Sequence, residues 1–555
     1  MKNYKYIGLL LLSIGFASCD VNNDLDPILE EVKPQVNLDA NGLDFSNYVS
    51  IGASFTAGFT DGALFKAGQE NSFPNILATK FKAADGGDFN QPLMGDNIGG
   101  FVTGSTVVQP PRLVFNPVTR TPARLGATPT TSLTARADGS SFNNYGIPGA
   151  KSFHLTFAGY ATLNPYFGRM ASSPTTTVLA DALAQKPTFF TLSEIGGNDV
   201  LSYAISGGSG VDQSPSTTNP TGNLNPATYG LNDITNPLVF DNVFKGMVTA
   251  LTAGGAKGVI ATVPNINLLP YFTTVPHNPL NPNDKKTGPA LKAQIPLLNS
   301  VFGAINKIYV GAGEPERAII FSETKTNPVV IFDEDATDLS VAITTTLGKS
   351  PTFVPFVQSL GLPAAAAPLV AGLLGKQYGK ARSATVKDLL VLPSSSVIGT
   401  VNKTVAGSLI TQSGGLLPAT LAGQFSAEGI TLPLADQWVL TPQEQEAIKN
   451  ATVAYNKTIT ETANANKNLA LIDLNAILQE ASNGIQFDNY TMTTSLVTGG
   501  LVSLDGIHLT ARGYALMANK MLAAIDAKFG SNFTKATDGL AKADDYPTNY
   551  SPTLK

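Results

Sequence analysis

Cysteine occurs once in 555 residues, tryptophan once and histidine three times. A single cysteine excludes a disulfide framework and any cysteine-based zinc site. So few histidines leave no cluster to hold a metal. Charge is sparse as well: 14% of residues are charged, 36 basic and 41 acidic, for a formal net charge of −5. Ordinary soluble proteins carry about 25%. No basic stripe or arm is present, so nucleic acid has no electrostatic footprint here. Past the N-terminus no run reaches the ~18 uninterrupted apolar residues of a membrane span. The most apolar stretch, LGLPAAAAPLVAGLLG, is broken by Pro363 and Pro368. What the chain does have is 43% hydrophobic residues, enough for a large core. It also has 52 glycines and 36 prolines, which point to long loops. The length alone suggests two to four domains at roughly 150 residues each.

The N-terminus reads as an address. Met1–Lys5 carries two lysines, and Tyr6 to Ser18 is an apolar run too short to span a bilayer. Cys19 follows the small residues Ala17 and Ser18. The segment, 1–18, resembles a bacterial lipoprotein signal peptide, which implies cleavage before Cys19 and lipidation of that residue. Phe16 stands where such signals usually carry leucine, and a plain secretory signal is the alternative. Residues 19–45 begin CDVNNDLDPILEEVKPQ, polar and acidic without period, and read as a flexible tether. Acidic residues directly after the cysteine resemble the surface-export signal of Bacteroidetes lipoproteins. The location this implies is the cell envelope, lipid-anchored at the outer membrane and exposed at the cell surface.

Downstream, buried strands alternate with amphipathic helices. Strands are expected at Asn47–Gly52 (NYVSIG), Thr188–Glu194 (TFFTLSE), Gly258–Val263 (GVIATV) and Ala470–Asn475 (ALIDLN). Helices are expected at Asn71–Lys82, Thr175–Ala184, Val239–Ala253, Thr441–Ala465 and Thr510–Phe529. Thr441-Pro442 with Glu444 supplies a cap, an N1 proline and an acidic first turn. The Gly/Pro/Thr-rich stretch 83–142 reads as long loops and short hairpins, and 206–232 as a surface loop. This alternation argues for a parallel sheet between helical layers. The expected fold is α/β, a flavodoxin-like three-layer α/β/α sandwich. Its core runs over 46–264 and 441–532, and 533–555 forms a tail. Residues 265–440 break the alternation and read as a large, mostly helical insertion. It contains an expected hairpin, RAIIFSETKTNPVVIFDED, and leaves the strand at Val263, where ligands of open α/β sheets bind.

Four segments carry chemistry. SIGASFTAGFTDG puts Ser54 in a small-residue turn after a strand, the exposed position a nucleophilic hydroxyl needs. NNYGIPGAKS places Gly146 and Gly149 in a loop whose N–H groups can approach a ligand closely. EIGGND holds Asn198, a neutral donor suited to a developing oxyanion. LDGIHLTARGY sets Asp505 three residues before His508, a spacing that lets the carboxylate hold the imidazole tautomer and leaves the other nitrogen for a serine.

In this order and at these strand ends, the four segments resemble the SGNH hydrolases, or GDSL esterase/lipase family, over about 47–264 and 441–529. The resemblance implies a nucleophile at Ser54 and an Asp505–His508 acid and base. It implies an oxyanion hole from Ser54, Gly149 and Asn198, with no cofactor and no metal. One departure stands out: the family usually reads Gly-Asp-Ser at the nucleophile, and here it is Gly52-Ala53-Ser54. Leu509 stands where many relatives carry proline. A GxSxG elbow of the α/β-hydrolase type is absent around Ser54.

The implied activity is hydrolysis of acyl esters by a membrane-anchored serine lipase or esterase. The substrate is a lipid or an acylated glycan. The insertion is either an apolar acyl pocket or lid, or a packed subdomain without substrate contact. A carbohydrate O-deacetylase is the enzyme alternative, weakened by Trp438 being the only tryptophan. The non-enzyme alternative is a lipid-binding lipoprotein that keeps the fold and serves an outer-membrane protein partner. His154 is expected to be a packing or rim residue, His277 a surface or insertion residue, and Asp199 structural.

Overall fold

Five parallel strands form the central sheet of the computed structural model, which describes residues 35–139 and 141–555. The expected signal peptide, Cys19 and most of the tether lie outside the described residues. The chain divides into a short unit ending at Asn37 and a second unit, Leu38–Lys555, to which everything below belongs. In chain order the elements that position the site are β1 (Tyr48–Gly52), α1 (Ser54–Ala57), α2 (Phe73–Lys82), β2 (Asn144–Gly146), β3 (Phe189–Leu192) and α3 (Gly197–Ile205). They continue with α4 (Pro237–Thr252), β4 (Lys257–Ala261), α5 (Gly288–Gly311), β5 (Val330–Phe332) and β6 (Ala381–Ser383). The last are α6 (Pro442–Ala465), β7 (Leu469–Ile472), α7 (Leu474–Asn483) and α8 (Ala511–Phe529).

The sheet order is β7-β4-β3-β1-β2, all pairs parallel. Counting only the sheet's own strands, this is the doubly wound order 2-1-3-4-5. It reverses direction between β1 and β3. Both faces are covered, so the strands are apolar at nearly every position rather than alternating. Val49, Ile51, Phe190, Leu192 and Ile260 face α4 and α6. Tyr48, Phe189, Val259, Ala261 and Ala470 face α2 and α8. The chain is therefore a three-layer α/β/α sandwich. Its helices start as their sequences dictate. The Thr441 N–H and hydroxyl both donate to Glu444 Oε2 at the head of α6, a capping box. Thr510 Oγ1 accepts from the Gly513 N–H at the head of α8, at 3.0 Å.

Two boundaries move. Leu43 and Phe45, expected in the tether, are buried, and Phe45 stacks on Phe81 at 4.0 Å. Large apolar side chains take those positions into the core. The expected tail 533–555 is packed rather than loose. Phe533 is fully buried, and the buried Arg112 guanidinium donates to the carbonyls of Ser551 and Leu554 at 2.7 and 3.0 Å. Helix α7 and the short hairpin Ile485–Phe487 with Tyr490–Met492 were not legible as separate elements.

The insertion builds its own hydrophobic core from α5, β5 and the helix Ala367–Tyr378. The hairpin expected within 317–335 does not form. β5 pairs antiparallel with β6 instead. The segment Ile319–Phe321 runs along α5, where asparagine amides take the place of a strand partner. Asn306 bonds both backbone groups of Ile319 (2.9 and 2.8 Å) and Asn299 both of Phe321 (2.9 and 2.8 Å). Buried backbone polar groups must be paired, and two asparagines seven residues apart on one helix face satisfy that here.

Candidate active site

The end of β1 and the start of α1 form the turn that carries Ser54. Gly52 is required there: a Cβ would come within 2.1 Å of Thr56 Oγ1 and 2.9 Å of Glu194 Oε1. Short helices leave their first N–H groups without intrahelical partners. Two of these are taken from outside the turn. Glu194 Oε1, arriving from the end of β3, accepts from the Ala53 N–H at 2.6 Å and the Thr56 N–H at 2.9 Å. Among the described residues the Ser54 N–H and hydroxyl make no hydrogen bond. Glu194 is buried, and among the described residues its Oε2 has no hydrogen-bond partner. Burial pushes its carboxyl up to about 7, against the pull of its bonds to the turn.

The loop ahead of α8 carries Asp505 and His508. Asp505 Oδ2 accepts from His508 Nδ1 and from the Gly62 N–H, each at 2.8 Å. Its Oδ1 accepts from the N–H groups of Ile507 (2.8 Å) and His508 (2.9 Å) and from Ser503 Oγ (3.1 Å). Burial alone would raise this carboxyl. The His508 imidazole and the surrounding donors more than offset it, and hold Asp505 well below the usual carboxylate range. The carboxylate therefore fixes the proton of a neutral imidazole on Nδ1 and leaves Nε2 as the acceptor.

The imidazole lies against α1 and the residues just after it. Its centroid is 5.7 Å from the Phe55 ring and 4.6 Å from Phe59. The Phe59 N–H in turn donates to the Ser54 carbonyl at 2.9 Å. Ser54 Oγ and His508 Nε2 are not hydrogen-bonded to each other. Ile507 and Leu509, on either side of His508, line the same cavity as Ser54.

Asn198 sits in the first turn of α3 and lines that cavity too. Its Nδ2 donates to the Ala150 carbonyl at 2.9 Å, which ties α3 to the glycine loop. Gly149, in that loop, has φ +79° with no atom within 4 Å of where a Cβ would sit. Its N–H makes no hydrogen bond among the described residues. Gly149 does not line the Ser54 cavity. It lines a neighbouring, more open groove with Phe59, Gly62 and Tyr166. The structure thus brings Ser54 and Asn198 to one cavity and Gly149 to the adjoining groove. The Asp505–His508 loop reaches both: Ile507 and Leu509 line the cavity, and Phe59 and Gly62, which contact His508 and Asp505, line the groove.

The Ser54 cavity is bounded by residues of α1, α3, α7 and α8. Apart from Ser54, Glu194 and Asn198 its wall is apolar, with Leu201, Ile477, Leu478, Leu516 and Met517 among the lining residues. Only the base of the insertion takes part, through Ile266 and Leu269. That base is fastened to the Asp505–His508 loop by Tyr271, whose N–H donates to the Gly506 carbonyl at 3.0 Å.

Two acids in the site were not singled out in the sequence. Glu194 ends the strand segment TFFTLSE, where an ionisable residue closing a buried strand was the available signal. Asp61 follows α1 in the TDG turn; it is 1% exposed and accepts from the Leu504 N–H at 3.1 Å. Burial raises its carboxyl to about 7, with the Asp505 charge adding to the rise.

The remaining candidates are structural. Asp199 is fully buried and accepts from the Ser152 N–H (2.8 Å) and hydroxyl (2.6 Å). His154 stacks on Tyr160 at 4.5 Å and takes the Lys151 N–H on Nδ1 at 3.1 Å; burial lowers it to about 4. His277 lies in a loop of the insertion, and its carbonyl accepts from the Val329 N–H. Among the described residues one group of acids has metal-ligand spacing. Glu334, Asp436 and Glu444 bring carboxylate oxygens within 4.8 Å of one another where the insertion meets α6. Burial, with Glu334 alongside, pushes Asp436 and Glu444 up, which suits shared protons at this junction.

No family model, curated protein or solved structure matches this chain.

Proposed function

We propose that this chain is a serine ester hydrolase of the SGNH type, acting on acyl esters and tethered to a membrane through Cys19. The observation that carries the reading is the Asp505–His508 pair, bonded at 2.8 Å, beside the Ser54 turn at the topological switch point between β1 and β3. Ligands of doubly wound sheets bind at that point.

In this reading His508 Nε2 takes the Ser54 Oγ proton as Oγ bonds to the ester carbonyl carbon. The oxyanion is held by the N–H groups of Ser54 and Gly149 and the side chain of Asn198. His508 returns the proton to the leaving alcohol as the C–O bond breaks. Water then enters through the same base, releasing the acid and Ser54. Closing of the Ser54–His508 gap on substrate binding is part of the reading, since catalytic hydrogen bonds are often long without substrate. The aliphatic wall of the Ser54 cavity supports an acyl chain, and so a lipid-type ester over a sugar acetate.

A second reading, a lipid-binding lipoprotein that keeps the fold without catalysis, is favoured by one observation, the missing hydrogen bond between Ser54 and His508. Hydrolysis of p-nitrophenyl esters from acetyl to palmitoyl, by wild type and Ser54→Ala, separates the two. Turnover by wild type alone supports the hydrolase. Absence of turnover with retained fatty-acid binding supports the second reading.

A further inference from the structure

We infer that Glu194 is the positioning residue of the nucleophile turn, supplying from the neighbouring strand the helix cap that Ala53 cannot. The inference rests on the hydrolase reading and deepens it.

Ala53 is the N-cap residue of α1 and Thr56 its third helical residue. An aspartate at an N-cap would accept the N–H of the second or third helical residue with its own side chain. Alanine offers nothing, and α1 has no side-chain cap of its own. Glu194 fills that role: its Oε1 takes the Thr56 N–H at 2.9 Å and the Ala53 N–H at 2.6 Å. These two donors flank Ser54 on either side. One carboxylate oxygen thereby fixes the backbone around the serine and leaves the Ser54 N–H unbonded, the group an oxyanion would need.

Two further observations single Glu194 out from an ordinary buried acid. It holds φ +47°, a left-handed conformation that is uncommon for a residue with a side chain. Such outliers cluster where the surrounding structure imposes them for a purpose. It also lines the cavity shared by Ser54 and Asn198, so its cap is built into the wall of the site. Gly52 completes the arrangement, because any Cβ there would meet Glu194 Oε1.

The test compares wild type, Glu194→Ala, Glu194→Gln and the double variant Ala53→Asp/Glu194→Ala on a p-nitrophenyl ester that wild type cleaves, with thermal melting alongside. Glu194→Ala is expected to lower kcat about 100-fold, the scale of a mispositioned or lost oxyanion donor, with KM within about 3-fold. Glu194→Gln keeps a carbonyl oxygen at the same place and is expected to recover at least about 10-fold of that loss. Ala53→Asp in the Glu194→Ala background restores a cap acceptor for Thr56 and is expected to recover kcat by a similar factor. A purely structural role would move the melting temperature without this rescue pattern. If wild type turns over and Glu194→Ala keeps its kcat, the assignment is overturned and the hydrolase reading stands. The assignment is also overturned if both rescue variants stay as slow as Glu194→Ala. If wild type itself has no turnover, the hydrolase reading falls and takes this assignment with it.

Discussion

His508 is held to Asp505 twice: its ring Nδ1 lies 2.8 Å from Oδ2, and its own backbone N–H lies 2.9 Å from Oδ1. The carboxylate sets ring orientation and loop conformation together, so a histidine three residues after an aspartate can present Nε2 in one direction only.

Replacing Asp505 by asparagine is expected to cost about 10³–10⁴ in kcat, because the imidazole loses both its fixed tautomer and its counter-charge. The same substitution changes acid stability. The folded-state carboxyl sits below its unfolded value, so its contribution is present above about pH 4 and lost as the pH falls further. Melting curves from about pH 5 to about pH 2 are expected to fall less steeply for Asp505→Asn than for wild type.

Glu194 and Asp61 have the opposite sign. Both carboxyls are pushed up to about 7 in the fold. The folded protein therefore holds more protons than the unfolded chain between roughly pH 4 and 7, and stability declines as pH rises across that window. Each group contributes about 1.4 kcal/mol per pH unit at most. Calorimetry on Asp61→Asn is expected to show a flatter melting-temperature profile between about pH 5 and 7 than wild type. An unchanged slope would contradict it.

In the proposed hydrolase the aliphatic cavity would set acyl chain length. Ile477 is a half-buried lining residue, so a larger side chain can be accommodated there with little cost to folding. Ile477→Trp is expected to move the optimum to shorter acyl esters by about two or more carbons while acetyl-ester turnover stays within about 3-fold. Rates across the p-nitrophenyl series measure it.

The asparagine brace on α5 carries stability rather than catalysis. Asn306→Ala leaves the N–H and carbonyl of Ile319 without their partners. Unpaired buried polar groups cost about 1–3 kcal/mol each. The melting temperature is expected to drop, with kcat unchanged at a temperature where the variant is folded.

The layered core was legible because parallel strands buried on both faces leave unbroken apolar runs such as FFTL and GVIA. The helices were legible from their caps, as at Thr441 and Thr510. Asp505, His508, Ser54 and Asn198 could be singled out because each follows or precedes an element end. Glu194 could not, since its role depends on β3 lying beside β1, a relationship no local pattern carries. The false hairpin failed for a similar reason. Ile319–Phe321 has strand composition, but its backbone partners are side chains on a helix. The packed 533–555 segment depends on Arg112, more than 400 positions away, and nothing in the tail's own composition announces it.

The most direct test of the central claim is mass-spectrometric mapping of the adduct formed by an alkyl fluorophosphonate with protein beginning at Asp20. One stoichiometric adduct on Ser54 is expected, lost in Ser54→Ala and strongly slowed in His508→Ala. No adduct on Ser54, or ester turnover that survives Ser54→Ala, would contradict it.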